Sequence, residues 1–317
     1  MAAGTVTSRV LGFARAVLLA ATIGVTTDAA DAFGVANQLP NNVYAIIAGG
    51  VLNAVLVPQI VKARAHHDGG QGYIDRLVTL ILVVFASATV LTTVAAPWLV
   101  SLYTSGWSAD QLALATAFAY WCLPQLFFYG LYSLLGEVLN ARSAFGPFMW
   151  APVLNNIVAI AGLVCYVVLF GADPTGSRAI SSWGADQISL IAASATAGVA
   201  AQALILLVFW RRVGLKLGLN FKWRGVGLRP AAKAASWTLG MVLVTQLGGL
   251  VQSVVASSTI AARASQGLAI ASIAASSIAW LIFMLPHSIA TVSIATASFT
   301  KISTHAADGQ IDEFKRQ

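Results

Sequence analysis

The sequence predicts an all-α polytopic membrane protein, and three observations carry that expectation. Of 317 residues, 58% are hydrophobic and only 9% are charged, whereas soluble domains carry about 25% charged residues. The apolar residues gather into runs long enough to cross a hydrocarbon core about 30 Å thick, which takes about 20 helical residues at 1.5 Å each. The basic residues fall on one side of those runs. With the N-terminus inside, fourteen of the 18 lysines and arginines lie on the inner side, from Lys62 and Arg64 to Lys315 and Arg316, and the outer loops hold only Arg178 and Arg263. The outer loops carry acids instead: Asp28, Asp31, Asp110, Asp173 and Asp186. Retention of positive loops in the cytoplasm explains both this bias and the net charge of +7. No nucleic acid is expected as a partner, because the basic residues form no patch interleaved with aromatics.

Eight runs meet the length requirement: 3–25, 32–61, 77–103, 109–135, 148–170, 187–210, 235–257 and 268–298. The first carries Arg9 and Arg15 with Gly12 between them. The second follows Asp31, contains Asn41 and Asn53 and ends near Pro58. In the fourth, Pro124 predicts a kink beside Gln125, and Glu137 near the inner end is expected to pair with Arg142. The fifth holds Asn155 and Asn156, the seventh Gln246 and Gln252, and the eighth Pro286 followed by His287. These neutral polar residues fit either a cavity lining or interhelical hydrogen bonds, which contribute about 0.6 kcal/mol each. Cys122 and Cys165 both lie within apolar runs, where free buried thiols are expected rather than a disulfide framework or a metal site.

An arginine near the middle of a membrane helix costs about 2.5–3.5 kcal/mol on insertion scales, so two in one helix imply a use. A guanidinium is a fixed, fork-shaped cation suited to carboxylate or phosphate. Arg9 and Arg15 stand about 9 Å apart along the axis and about 120° apart around it. That separation suits different oxygens of an extended phosphate group in a wide cavity. Snorkelling to the inner interface is the competing account, stronger for Arg9 than for the deeper Arg15. A cleavable signal peptide ending near Ala30-Asp31-Ala32 is disfavoured because the apolar run extends on both sides of the arginines. No enzyme is expected. No cluster of acids, histidines or Ser/His/Asp candidates recurs at a membrane face, and no phosphate-binding glycine loop is followed by Lys-Ser or Lys-Thr. No cofactor is expected either; energy would come from the membrane potential, about 2.3 kcal/mol per charge per 100 mV, or from an ion gradient.

The ordered residues Ser8-Arg9-Val10-Leu11-Gly12-Phe13-Ala14-Arg15, then Asp31-Ala32-Phe33, Leu39-Pro40-Asn41 and Val57-Pro58, resemble the opening of the MurJ (MviN) family, in the form of its actinobacterial branch. The family belongs to the MOP exporters and comprises the lipid II flippases of bacterial cell-wall synthesis. The resemblance implies a MOP-type fold in which two lobes alternate access to a central cavity. Residues 1–217 would form the N-terminal six-helix lobe, 218–233 a basic cytoplasmic loop, 234–300 the first two helices of the second lobe, and 301–317 a cytoplasmic loop at a truncated end. It further implies a multi-pass protein of the bacterial plasma membrane, both ends of the chain cytoplasmic, with lipid II and membrane lipids as partners. Arg9 and Arg15 match the cavity arginines that hold pyrophosphate, and Asp31 matches an acid at the periplasmic gate. Asn41 and Asn53 complete the expected substrate-binding set.

The departures are specific. Many family members carry a basic pair where this chain has Tyr44 and Ala45, an acid where it has Gly49 and Gly50, and an arginine where it has Leu281. Half of the expected cationic cluster is absent. Two alternatives follow: a non-transporting scaffold that recruits cell-wall synthesis or division proteins, or another MOP exporter, of lipid-linked oligosaccharide or of drugs. A drug exporter would place carboxylates in the cavity for cationic drugs; here the lobe offers arginines.

Overall fold

The computed structural model describes residues 2–49, 71–141, 144–212, 218–222, 228–266, 270 and 272–286, and their regular structure is entirely helical. In chain order the helices are α1 (Ala2–Ile23), α2 (Asp28–Ile47), α3 (Gln71–Val94), α4 (Ala96–Tyr103), α5 (Ala109–Cys122), α6 (Gln125–Ala141), α7 (Phe145–Phe170), α8 (Ala185–Arg212), α9 (Leu228–Gln266) and α10 (Ile273–Pro286). A single 3-10 turn, Ile180–Ser182, lies between α7 and α8. The chain divides into compact units Met1–Ala275 and Ser276–Gln317. Of the second, the described part is the remainder of α10, where the rings of Trp280 and Phe283 lie 5.7 Å apart.

Six helical stretches among the described residues are long and apolar enough to cross a membrane, and they coincide with the first and the third to seventh predicted spans. The second predicted span is met as far as residue 49 by α2, whose 20 residues include Asn37, Gln38, Asn41 and Asn42. Asn41 alone of its 20 residues is exposed, and Ala32, Phe33, Val35, Ala36 and Leu39 are all buried. A helix surrounded by protein satisfies its polar groups through its neighbours, so its hydropathy falls below that of helices facing lipid. The eighth is met in part by the short apolar helix Ile273–Met284.

Two predicted spans are interrupted. The third consists of α3 and α4, separated at Ala95, with Pro97 in the first turn of α4, where its missing N–H costs no helical bond. The fourth consists of α5 and α6, separated at Leu123 and Pro124, as the proline predicts. Ser108 and Gln111 form a capping box that starts α5.

Close helix approaches are made at glycines. A Cβ on Gly162 of α7 would lie 2.1 Å from Ser194 Cβ, and one on Gly198 of α8 would lie 2.5 Å from Asn155 Oδ1, so α7 and α8 pack nearly backbone to backbone. Gly4, Ser8 and Gly12 recur every fourth residue along α1 and put one small-residue face against α7. There Asn156 Nδ2 donates to the Ser8 carbonyl at 2.9 Å.

The apolar interior is divided in two. One cluster gathers Phe33, Leu39, Phe118, Leu123, Tyr166 and Ile191. The other gathers Leu77, Phe85, Leu126, Leu134, Leu206 and Trp210. The break at Leu123 and Pro124 lies at the division, with Leu123 in one cluster and Leu126 in the other.

Candidate functional site

Between the two cores lies a polar layer built around the α5–α6 break. Pro124 has no N–H, and interruption of the helix after Cys122 frees carbonyls that would otherwise be bonded four residues on. One is satisfied across the bundle: the Thr196 hydroxyl, from α8, donates to the Trp121 carbonyl at 2.6 Å. Gln125 occupies the next position in the break and is buried. Its Nε2 donates to Asn37 Oδ1 on α2 at 3.1 Å and to Thr196 Oγ1 at 3.2 Å, and its Oε1 accepts from the Tyr129 hydroxyl at 3.0 Å. Irregular backbone at membrane depth is tolerated only inside protein or beside a water-filled cavity, and this knot provides the first condition.

Arg15 belongs to this layer. Seven residues beyond Ser8, it lies within about 20° of the α1 face that meets α7, and it is half-buried. Its guanidinium lies within electrostatic reach of the Tyr129 hydroxyl and the Cys122 thiol. No hydrogen bond or ion pair joins it to another described residue. Cys122 is also the last residue of α5, so the cation stands near the negative end of that helix dipole. Tyr129 is held from the other side by the Tyr44 ring, centroids 5.7 Å apart, and Tyr44 lies 6.0 Å from the Phe85 ring.

The other sequence-predicted residues are dispersed. Arg9 is exposed on α1, rotated away from Arg15. Asn41 is exposed on α2, one turn beyond Asn37 on the same face. Asn53, Pro58, Arg142 and His287 lie outside the described residues. Asp31 is fully buried, and its Oδ1 accepts the Ala274 N–H of the first turn of α10 at 2.9 Å, a carboxylate where a helix N-terminus favours negative charge. Asn155 donates to Gln202 Oε1 at 2.9 Å, and the Tyr132 hydroxyl to the Phe148 carbonyl at 3.0 Å, so these polar groups join α7, α8 and α6. Gln246 is half-buried and Gln252 exposed on α9. No group of three or more His, Cys, Asp or Glu that could hold a metal occurs among the described residues. Sequence reasoning singled out Arg15 and Gln125 but missed Asn37, Tyr129 and Thr196. The one available signal was Pro124, since a broken membrane helix requires polar partners nearby.

One end of the bundle is closed by the loop 171–184. Asp173 N–H donates to the Thr22 carbonyl at 2.8 Å, which fastens the loop to the α1–α2 turn. Gly24 makes that turn at φ 83°, where a Cβ would lie 2.6 Å from the Pro174 carbonyl oxygen. The Asp173 carboxylate accepts from the Ser177 hydroxyl and N–H and the Arg178 N–H, each at 2.8 Å. Burial alone would raise its pKa, but these bonds and the Arg178 charge outweigh burial and hold it below the usual carboxylate value. Arg178 donates to the Tyr166 hydroxyl and to the Phe170 carbonyl and lies 5.6 Å from the centroid of the Trp183 ring. Asp28, Asp110, Asp173 and Arg178 line a cavity of about 390 Å³ here. At the opposite end, Gly218 N–H donates to Asp75 Oδ1 at 3.3 Å and Asn220 N–H to Thr79 Oγ1 at 2.8 Å, holding the segment after α8 along α3.

The family model described as Lipid II flippase MurJ matches residues 19–317. The chain is 30% identical to the probable lipid II flippase MurJ of Rhizobium tropici over 222 residues, covering 68% of this chain and 39% of that protein. It is 26% identical to the probable lipid II flippase MurJ of Rhizobium meliloti (strain 1021) over 316 residues, covering 98% and 55% respectively. Among solved structures it resembles lipid II flippase MurJ in an inward closed conformation, with a TM-score of 0.69 at 19% identity over 96% of this chain and 58% of that one. The chain thus spans about half the length of the curated relatives it matches. A family model matched over nearly the whole sequence, on a helical bundle of the same fold, establishes that this chain belongs to the MurJ family.

Proposed function

We propose that this chain supplies the anion-gripping lobe of a lipid II flippase, with Arg15 as the principal contact to the substrate pyrophosphate. One observation carries the reading: Arg15 enters the polar layer between two apolar cores and makes no ion pair with a described residue. A cation kept at that depth with its donors uncommitted among the described residues is suited to an anionic ligand. Arg9, Asn41 and Asn53 contact the rest of the head group as it passes along the cavity. Asp31 acts as the outer gate, through a bond to the α10 N-terminus that is made when that side closes and broken when it opens. Residues 1–217 and 234–300 belong to opposite lobes joined by the basic loop 218–233. The end bearing Arg211, Arg212 and Lys222 faces the cytoplasm, as do both ends of the chain, and transport draws on the membrane potential or an ion gradient.

A second reading, a non-transporting scaffold for cell-wall machinery, is favoured by Tyr44, an aromatic packed on Phe85 and Tyr129 where many family members carry a cation. The deciding experiment expresses the intact protein in cells depleted of their own flippase and follows lipid II accessible from outside. Wild type is expected to restore exposure, Arg15→Ala to abolish it at equal membrane abundance, and Arg15→Lys to restore it in part, because a point charge does not replace a fork. Full activity of Arg15→Ala, or none from wild type, would move the scaffold reading ahead.

A further inference from the structure

The segment 218–222 turns main-chain donors toward α3 and leaves its apolar side chains bare. Gly218 N–H donates to Asp75 Oδ1 at 3.3 Å and Asn220 N–H to Thr79 Oγ1 at 2.8 Å. The Thr79 hydroxyl gives its own proton to the Asp75 carbonyl at 2.6 Å, which leaves its lone pairs for the Asn220 N–H. Asp75 and Thr79 stand one turn apart on α3, about 6 Å, a rise that two extended residues cover. An extended chain alternates its side chains, and the residues that alternate with these contacts, Leu219 and Phe221, are 68% and 63% exposed. A Cβ at Gly218 would lie 2.7 Å from Asp75 Oδ2, so glycine lets the chain lie this close. Lys222 N–H then donates to Asn220 Oδ1 at 3.0 Å, an Asx turn that bends the chain at an exposed lysine.

The apolar span of α3 is Ile74–Val94, 21 residues and about 32 Å long, close to the thickness of a hydrocarbon core. Asp75 and Thr79 lie about 2 Å and about 8 Å past its first residue, so the segment fastened to them is at the depth where acyl chains begin. The same end of the bundle carries Arg76, Arg211, Arg212 and Lys222. Arg211 and Arg212 close α8 and are exposed, with the Arg212 guanidinium 5.2 Å from the centroid of the Phe209 ring. Arg76 Nε is buried with no hydrogen-bond partner among the described residues. Against these cations the segment touches one carboxylate, Asp75.

We propose that residues 218–222 form a lipid-docking strap, in which Leu219 and Phe221 enter the acyl chains of the adjacent leaflet while Lys222, Arg211 and Arg212 meet the phosphates of anionic phospholipid. Bare apolar side chains beside basic ones make an interfacial anchor, where buried area and charge act together. A free phosphate would satisfy the cations and leave the apolar pair in water; a phospholipid satisfies both. Lysine and arginine stems reach headgroup level from this depth. The basic loop 218–233 therefore starts inside the membrane interface and not free in the cytoplasm. This holds for whichever leaflet that end faces, and it is independent of the anion-binding reading of Arg15.

The test attaches bimane at Leu219→Cys in the intact protein, freed of its other cysteines and held in nanodiscs, with Ser181→Cys on the 171–184 loop as the control. Quenching by phospholipid brominated in its acyl chains reads contact with those chains, and quenching by aqueous iodide reads contact with water. Position 219 is expected to be quenched by the lipid and shielded from iodide, and position 181 the reverse. At equal low mole fraction, brominated phosphatidylglycerol is expected to quench position 219 about fivefold more effectively than brominated phosphatidylcholine, the preference that one engaged cation gives. Arg211→Gln, Arg212→Gln and Lys222→Gln together should remove that preference and leave the quenching by phosphatidylcholine. Melting temperature checks the fold of each variant, and Phe221→Cys gives the same readout if Leu219→Cys does not fold. Iodide quenching at position 219 without lipid quenching would put the segment in water and overturn the strap. Equal quenching by the two lipids, or a preference that survives loss of the three cations, would overturn the anionic partner.

Discussion

Arg9 and Arg15 sit on one helix six residues apart, and the angle between them decides their different surroundings. Arg9 shares its side of α1 with Val6, Val10 and Phe13, all exposed, while Arg15 lies near the Gly4, Ser8 and Gly12 face that meets α7. At the same scale Asp173 makes a pH-dependent prediction. Its pKa is held below the ordinary carboxylate value because its charged form accepts three hydrogen bonds from Ser177 and Arg178. A depressed folded-state pKa contributes stability that is present above the unfolded value, about 3.9, and is lost as pH falls through the lower folded value. The loop 171–184 should therefore stay docked from neutral pH to about pH 5 and loosen only below about pH 4. Asp173→Asn should loosen it at every pH, because an amide lacks the charge that the Arg178 N–H and the Ser177 donors stabilise. Acid-stable proteolysis at the loop, followed by mass spectrometry, reads this directly. Equal protection of wild type and Asp173→Asn at pH 7 would show that the loop is held by Arg178 and its aromatic contacts instead.

At the scale of helices, glycine positions separate close approach from spare room. An added Cβ on Gly162 or Gly198 meets α8 or α7 atoms at 2.1 and 2.5 Å, whereas one on Gly12 meets Asn156 no closer than 3.8 Å. Gly162→Leu and Gly198→Leu should each lower stability by at least the 1–3 kcal/mol typical of overpacking, about as far as the α7–α8 pair can be forced apart. Gly12→Ala should be close to neutral. Melting temperatures in detergent compare the three, and an undisturbed Gly162→Leu would contradict the close pairing. The helices also mark what was readable in the chain. Pro124 predicted the break in the fourth span because proline removes a donor whatever surrounds it. The break at Ala95 carried no such signal, since Pro97 is also compatible with an uninterrupted first turn. Asn37, Thr196 and Tyr129 were not legible as partners of Gln125 for a related reason. Neutral polar residues at membrane depth have no characteristic spacing, and their meeting depends on the packing of α2, α6 and α8. Arg15 stood out because a charge in hydrocarbon is costly wherever it falls.

For the molecule as a whole, the separation of charge is the property from which orientation follows. Asp28, Asp110 and Asp173 meet around one cavity, while the segment 218–222, with Lys222, is fastened to the Asp75 end of α3. These ends are joined by α3, α7 and α8, of 24, 26 and 28 residues, or about 36–42 Å at 1.5 Å per residue, enough for a hydrocarbon core and its interfaces. A lysine- and arginine-rich end is retained in the cytoplasm and aspartates do little to oppose it, so the acidic end should face outward. Cysteine reporters turn that into a measurement. The two native thiols are first removed by Cys122→Ala and Cys165→Ser; the loss of Cys122 is the one to watch, because that side chain is buried beside Arg15 whereas Cys165 is exposed. In intact cells a membrane-impermeant maleimide should label Ser181→Cys, which lies on the 171–184 loop, and should leave Lys222→Cys unlabelled until the cells are permeabilised. The reverse pattern would invert every helix. It would put the Asp31 contact on the cytoplasmic side, so that its proposed role as the outer gate would be wrong even with the anion site intact.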